Sequence, residues 1–135
     1  MSKSPDRYTL VVDHQLFHKG TYIVTLQAET GDIVEQQGFT SQATVLLLAL
    51  LEHYPDYCPL EVLYAAFYAL DVEDAREVIH DAIEEHTLTE LLHPLRTMLY
   101  LAKPGLRAFV IEVQTVTDTG YILIPQRRVY KNKRE

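Results

Sequence analysis

Histidine, cysteine and carboxylate side chains are the residue types in this chain best suited to do chemistry. His14 and His18 lie four residues apart without an acidic or Cys partner at a metal-ligand spacing. His80 and Glu84 form an i, i+4 pair, which is typical of an exposed helix face. Cys58 is the only cysteine, and its place before a helix-opening proline suits a cap or a buried thiol better than a nucleophile. We therefore predict no enzyme activity, no metal and no cofactor.

Basic side chains are concentrated near the carboxyl end of the chain. The net charge is −7, yet residues 101–135 carry 7 basic and 3 acidic side chains, while residues 71–100 carry 2 basic and 8 acidic ones. A dense cationic run favours contact with a phosphate backbone or an acidic partner, and it is also typical of a solvated chain end. Five cations around Tyr130 form this run: Arg127, Arg128, Lys131, Lys133 and Arg134.

Residues 8–38 have the alternation that predicts a small antiparallel β-meander. Thr and Tyr stand beside Ile and Val in these runs, which fits a sheet with one solvated face. Glycines and a Thr-Gly-Asp turn separate the runs. The predicted strands cover residues 8–12, 15–17, 21–27 and 33–37.

Two helices are predicted directly after the meander. The first begins at Thr40 or Ser41, because either hydroxyl can accept a hydrogen bond from a first-turn N–H. It runs to about His53 with apolar residues on nearly every side, which indicates burial. Pro59 suits the first turn of the second helix, where a missing N–H costs nothing.

The third helix is predicted to be amphipathic, beginning at Asp71 or Glu73. Its expected inward residues are Val72, Ala75, Ile79 and Ile83. Its outward face is acidic and carries Glu73, Asp74, Glu77, Asp81, Glu84 and Glu85.

A leucine-rich fourth helix is predicted over residues 87–101. Pro94 lies inside it, and a mid-helix proline costs roughly 3 kcal/mol because it removes a hydrogen bond and clashes with the preceding turn. We therefore expect a bend or a fresh helix start near His93. Gly105 is expected to close the helical part of the chain.

A β-hairpin is predicted after the fourth helix. Two β-rich runs, residues 108–116 and 121–124, flank a short connection that ends in Gly120. A glycine at this place supplies the positive φ that a tight or bulged turn uses. Pro125 is expected to end the pairing because it has no N–H to donate.

The predicted elements indicate an α+β fold with one domain over residues 1–126 and a basic tail over residues 127–135. No apolar run is long enough to span a membrane, and the first residues lack the apolar core of a secretion signal. A single cysteine fits a reducing compartment. A cytoplasmic location without a membrane partner is the expectation.

Four short segments occur in an order typical of one known fold. They are Phe39-Thr40 followed by Leu46-Leu47, Pro59-Leu60-Glu61-Val62-Leu63 before Phe67, Leu95-Arg96 with Leu99, and Thr115-Val116 followed by Gly120-Tyr121 and Leu123. Together they resemble the winged-helix effector domain of OmpR/PhoB-type response regulators. The resemblance implies a winged helix with an N-terminal antiparallel meander, three to four helices and a C-terminal hairpin as the wing, here without a receiver domain.

The resemblance implies a transcription regulator that binds duplex DNA, with the last helix in a groove and the hairpin beside it. A homodimer is the expected form, because one module with so few cations would bind weakly. The candidate DNA-binding residues are His93, Arg96, Thr97, Thr117, Thr119, Arg127, Arg128, Lys131, Lys133 and Arg134.

An alternative hypothesis is a winged-helix protein–protein interaction module that has lost DNA binding. It is motivated by the acidic third helix, by Pro94, and by the small number of Arg and Lys residues in the last helix. The resemblance implies RNA polymerase, or another regulator, as the partner of this surface. Its candidate residues are the six carboxylates Glu73, Asp74, Glu77, Asp81, Glu84 and Glu85.

Overall fold

The chain forms an α+β structure with four helices and two small sheets over the residues that the structure describes. The computed structural model describes residues 7–18, 21–116, 119–125 and 129–134. The helices are α1 (Ser41–His53), α2 (Leu60–Tyr68), α3 (Val72–Glu84) and α4 (Leu88–Ala108). The strands are β1 (Arg7–His18), β2 (Thr21–Ala28), β3 (Ile33–Thr40), β4 (Cys58–Pro59), β5 (Ile111–Val116), β6 (Gly120–Pro125) and β7 (Val129–Arg134).

The first sheet has the strand order β3-β2-β1-β7. Its antiparallel β1–β2–β3 part confirms the predicted meander, although residues 8–12 and 15–17 belong to one strand of 12 residues. β7 pairs with β1 in parallel, with Val129 opposite Arg7 and Arg134 opposite Val12. The segment interpreted as a basic tail therefore contains a strand, because the open edge of β1 offers backbone partners that composition does not reveal.

The second sheet has the order β4-β6-β5 and contains the predicted hairpin. The first run begins later than predicted, because Ala108 is the last residue of α4. β4 is only two residues long and pairs Cys58 with Tyr121 and Pro59 with Gly120. Cys58 is therefore a buried strand residue and not a helix cap, while Pro59 itself stands at the N-cap position of α2.

The helices α1, α2 and α3 lie close to their predicted positions. The Ala43 N–H donates to the Thr40 hydroxyl at 3.2 Å, which confirms Thr40 as the N-cap of α1. α3 begins directly after Asp71. Its predicted inward face is wrong at Ile83, which is 53% exposed because it lies on the wall of an open depression between the helices and the hairpin.

α4 differs most from its prediction, since it continues from Leu88 to Ala108 through both Pro94 and Pro104. The helix does not restart at His93, and it does not end at Gly105. Each proline leaves the carbonyl four residues earlier without its helical partner, and these carbonyls belong to the exposed residues Glu90 and Tyr100, where water has access.

The hydrophobic core joins both sheets to all four helices in one cluster of buried residues. Representative members are Leu10, Val24, Leu46, Leu63, Ala75, Leu95, Phe109 and Leu123. α4 reaches this core with Leu92, Leu95 and Leu99, which fixes which side of the helix is left to solvent. Among the helices described, none has the length and apolar character needed to cross a membrane.

Candidate nucleic-acid interface

The helix–hairpin seam is the surface along which α4 faces strand β5. From α4 it contains Arg96, Lys103 and Arg107, and from β5 it contains Glu112, Val113 and Thr115. Two adjoining depressions follow it: one of about 300 Å³ reaches from Arg96 to Lys103, and one of about 160 Å³ reaches from Lys103 to Arg107. The seam is therefore lined by three cations and one carboxylate.

The spacing of these cations follows from the helix. Lys103 comes seven residues after Arg96, and seven residues are close to two turns, so both side chains lie on one side of α4 about 10 Å apart along its axis. Arg107 is one further turn along. All three are exposed, because the leucines between them occupy the buried side of the helix.

Arg96 is held at the junction of helix and hairpin by one side-chain hydrogen bond. Its Nε–H donates to the Tyr121 hydroxyl at 3.2 Å. Tyr121 is buried in β6, and β6 lies between β4 and β5, so its ring position is fixed by the second sheet. The guanidinium remains exposed and free to contact a second group.

The other predicted residues of α4 lie on its solvent side. His93 and Thr97 are exposed, and together with Arg96 they share one region of the helix surface, as their three- and four-residue spacing requires. Tyr100 is 69% exposed in the same region. The structure therefore brings His93, Arg96 and Thr97 together, and it adds Tyr100.

The predicted hairpin and tail residues are only partly described. Thr119 is exposed beside the hairpin, and its carbonyl accepts the Leu60 N–H at 2.9 Å. Thr117, Arg127 and Arg128 lie outside the described residues. The three remaining cations, Lys131, Lys133 and Arg134, belong to β7.

β7 belongs to a different sheet from the hairpin. It contacts β1 and α1, whereas α4 contacts β3 and β5. The structure thus does not bring the β7 cations to the helix–hairpin seam. They form a separate basic strand at the edge of the first sheet.

Lys103 and Arg107 are the two seam cations that sequence reasoning missed. The error came from ending the fourth helix at Leu101, which separated both cations from Arg96. Lys103 follows Arg96 by seven residues, and Arg107 follows Lys103 by four. These helical spacings could have identified both cations if the predicted helix had continued past Pro104.

The acidic residues of α3 are exposed, as predicted. Within this helix His80 Nδ1 lies 3.9 Å from Asp81 Oδ1 and His80 Nε2 lies 3.6 Å from Glu84 Oε2, so the i, i+4 pair is an exposed contact on the helix face. Arg76 lies 3.9 Å from Glu61 of α2. No group of three His, Cys, Asp or Glu residues within the described ranges is arranged to hold a metal ion.

A wider depression adjoins the seam on the other side of Arg96. This groove has a volume of about 670 Å³ and is walled by α2, α3, α4 and the hairpin. Its lining residues are Leu60, Glu61, Ile79, Ile83, Leu88, Arg96, Thr115, Val116, Thr119, Gly120 and Tyr121. Arg96 and Tyr121 therefore stand between the groove and the seam.

Comparison with known proteins gives no relative from which a function could be transferred. No family model, no characterised protein and no solved structure matches this chain. The function must be argued from the geometry of the described residues.

Proposed function

We propose that this chain is a winged-helix module that binds duplex DNA through the helix–hairpin seam and the adjoining exposed side of α4. The observation that carries the proposal is the placement of all three α4 cations on the side that faces the hairpin. The acidic residue of α4, Glu90, does not line the seam. A helix next to a two-stranded hairpin is also the arrangement in which one element can enter a groove while the other lies over the backbone.

The proposal assigns different contacts to the two parts of this surface. Arg96, Lys103 and Arg107 contact phosphates, because these basic side chains form a row beside the hairpin. His93, Thr97 and Tyr100 face the major groove, where side chains of these types can donate, accept or stack. The fold resemblance supports this division by analogy.

A salt titration tests the proposal. Fluorescence anisotropy with a labelled duplex, measured between 50 and 200 mM KCl, gives the slope of log K against log salt concentration, and three phosphate contacts predict a slope of about −2.7. Each single substitution Arg96→Gln, Lys103→Gln or Arg107→Gln is expected to reduce its magnitude by about 0.9.

Two control variants distinguish phosphate contacts at the seam from the effect of removing any cation from the protein. Arg76→Gln removes a cation from α3 and is expected to leave the slope unchanged. A Lys131→Gln/Lys133→Gln double variant measures the contribution of β7. A dissociation constant weaker than about 1 μM at low salt would refute DNA binding, since specific sites are normally bound far more tightly than this.

A second candidate function is supported by the exposed carboxylates of α3. Five of the candidate carboxylates lie on α3 and the sixth, Glu85, is its C-cap. All six are exposed and offer a surface for a basic protein partner such as RNA polymerase. A Glu77→Lys/Asp81→Lys/Glu84→Lys variant is expected to abolish binding to purified polymerase in analytical ultracentrifugation while preserving the fold. Unchanged binding, or none by the parent protein, would leave α3 as a solvated face.

A further inference from the structure

The groove beside Arg96 has the size and lining of a small-molecule site. Its volume of about 670 Å³ lies within the range of ordinary ligand pockets, which is about 300 to 1,000 Å³. Its walls carry apolar side chains from four elements, with Leu60, Ile79, Ile83, Leu88 and Val116 facing the same space. Such a lining binds an apolar body, and a few polar groups then decide which ligand is accepted.

Ile83 is the most exposed of the apolar side chains that line the groove within the described residues. It lies on the apolar side of α3 together with the buried Ile79, yet it is 53% exposed. Covering an isoleucine that is exposed within a concave apolar surface lowers the free energy, because apolar area is removed from water. The occupant therefore has an apolar portion that contacts Ile83.

The electrostatics of the groove favour an anionic end on that occupant. Arg96 lines the groove with an exposed guanidinium, and the adjacent Tyr121 hydroxyl accepts its Nε–H, so the remaining N–H groups can bind a carboxylate. The opposing charge, Glu61, has a cationic neighbour in Arg76 at 3.9 Å. A bound acid is thus attracted by Arg96 while Glu61 is partly neutralised.

We propose that this groove binds a small amphipathic carboxylate, with its carboxylate on Arg96 and its apolar body against Ile83, Leu88 and Val116. This inference does not depend on the proposed DNA binding. Carboxylate binding would nevertheless affect DNA binding, because Arg96 belongs to both surfaces. A bound acid neutralises one of the three seam cations.

Octanoate is a suitable probe, used with the full chain and without nucleic acid. Amide chemical shifts in ¹⁵N–¹H spectra are expected to move at Ile83, Leu88 and Val116 with one-to-one saturation. Arg96→Gln should weaken binding about tenfold, as expected for one charge-assisted hydrogen bond, and Arg96→Lys should restore part of it. Ile83→Ser should also weaken binding, and the fold should tolerate it because Ile83 is exposed.

Matched controls keep the result specific. Lys103→Gln removes a seam cation that does not line the groove, and Leu101→Ser removes an apolar side chain that is 62% exposed elsewhere on α4. Neither should change octanoate binding. Equal binding of octanol, stronger binding of octylamine, or an unchanged affinity in Arg96→Gln would each overturn the inference.

The outcome is distinguishable from that of the DNA titration. If octanoate causes no chemical-shift changes while the salt slope of DNA binding depends on Arg96, only the carboxylate site is refuted. Octanoate binding without DNA binding would refute the proposed function alone. If both occur, saturating octanoate is expected to weaken DNA binding in the parent protein and to have no such effect in Arg96→Gln.

Discussion

Gly120 lies where strands β4 and β6 of the second sheet approach each other closely. A Cβ added there would collide with the carbonyl oxygen of Cys58 and lie 3.0 Å from the Cα of Pro59. Its φ is outside the left-handed region, so the expectation that this glycine supplies a positive φ was wrong. The glycine is needed because β4 and β6 approach closely at this pair.

Replacing Gly120 by alanine is expected to lower the free energy of unfolding by about 3 kcal/mol, because the clash is with backbone atoms that cannot rotate away. Urea denaturation measures this loss. The exposed Gln114→Ala on the neighbouring strand is the control and should change stability by less than about 0.5 kcal/mol. A Gly120→Ala variant as stable as the parent would show that β4 can shift at little cost.

Cys58 illustrates how burial removes the reactivity of a thiol. Its side chain is fully buried in β4, and this burial, assisted by the charge of Glu61, raises the pKa of the Cys58 thiol to about 12. The thiolate is the reactive form, so a thiol with this pKa is almost entirely protonated and inert at neutral pH. The geometry gives no support to a nucleophilic role.

The pKa of Cys58 predicts a loss of stability in alkali. The thiol of the unfolded chain ionises near its ordinary pKa of 9.0, and the folded thiol only near 12, so unfolding becomes more favourable as pH rises through this interval. Below pH 9 the contribution of Cys58 to the free energy of unfolding does not change with pH. Thermal unfolding from pH 8 to 11 should decline more steeply in the parent protein than in Cys58→Ala. Parallel curves for the two proteins would contradict the high pKa.

At the scale of elements, α4 shows that the exposure of a proline decides whether it ends a helix. The carbonyl groups of Glu90 and Tyr100 would have bonded the missing N–H groups of Pro94 and Pro104. Both residues are exposed, so water can replace these bonds. The helix is retained because Leu92, Leu95, Leu99 and Leu106 on its other side are buried in the core.

Gly105 determines how closely α4 approaches β3. An alanine Cβ at this position would lie 2.7 Å from Cε1 of Phe39, whose ring is buried and packs against Phe109 at 6.2 Å between centroids. Gly105→Ala is therefore expected to destabilise the protein by about 1–2 kcal/mol. This loss is expected even though alanine stabilises a helix by about 1 kcal/mol relative to glycine.

A double-mutant cycle checks this contact. In a Phe39→Leu background the smaller side chain leaves room, so Gly105→Ala should become neutral or stabilising. Chemical denaturation of the four proteins gives the coupling energy. Additive effects would indicate that the Phe39 ring moves aside without cost.

Periodicity predicted most of the regular elements and failed where pairing decides the structure. The apolar pattern gave the meander, the four helices in order and the hairpin. The pattern could not predict β4, because a strand of two residues has no period. It could not predict β7 either, because the sequence VYKNKR is typical of a solvated chain end. Both strands exist because a neighbouring strand offers unpaired backbone groups.

At the scale of the whole molecule, the sequence revealed the charge asymmetry but not its arrangement. Arg96 could be selected because the predicted helix contained it, whereas Lys103 and Arg107 required the true length of α4. The groove could not be predicted, because its walls come from four elements that are distant in the chain. A set of residues becomes a site only through such tertiary contacts.

The place of β7 in the first sheet changes what a truncation can show. Removing residues 127–135 would expose the edge of β1 over Arg7–Val12 and leave its backbone groups there without protein partners. We expect a lower melting temperature and a tendency to aggregate, measured by circular dichroism and light scattering. A truncated chain as stable as the parent would show that this pairing contributes little, and its salt slope could then be read directly.

The hydrogen bond from the Leu60 N–H to the Thr119 carbonyl links the start of α2 to the hairpin. This hydrogen bond and the β4–β6 pairs connect the hairpin to the segment that leads into α2. A binding surface that is already ordered before its ligand arrives loses little conformational entropy on association. The Leu60 amide should therefore exchange slowly with deuterium in the free protein, at a rate similar to that of amides in the core.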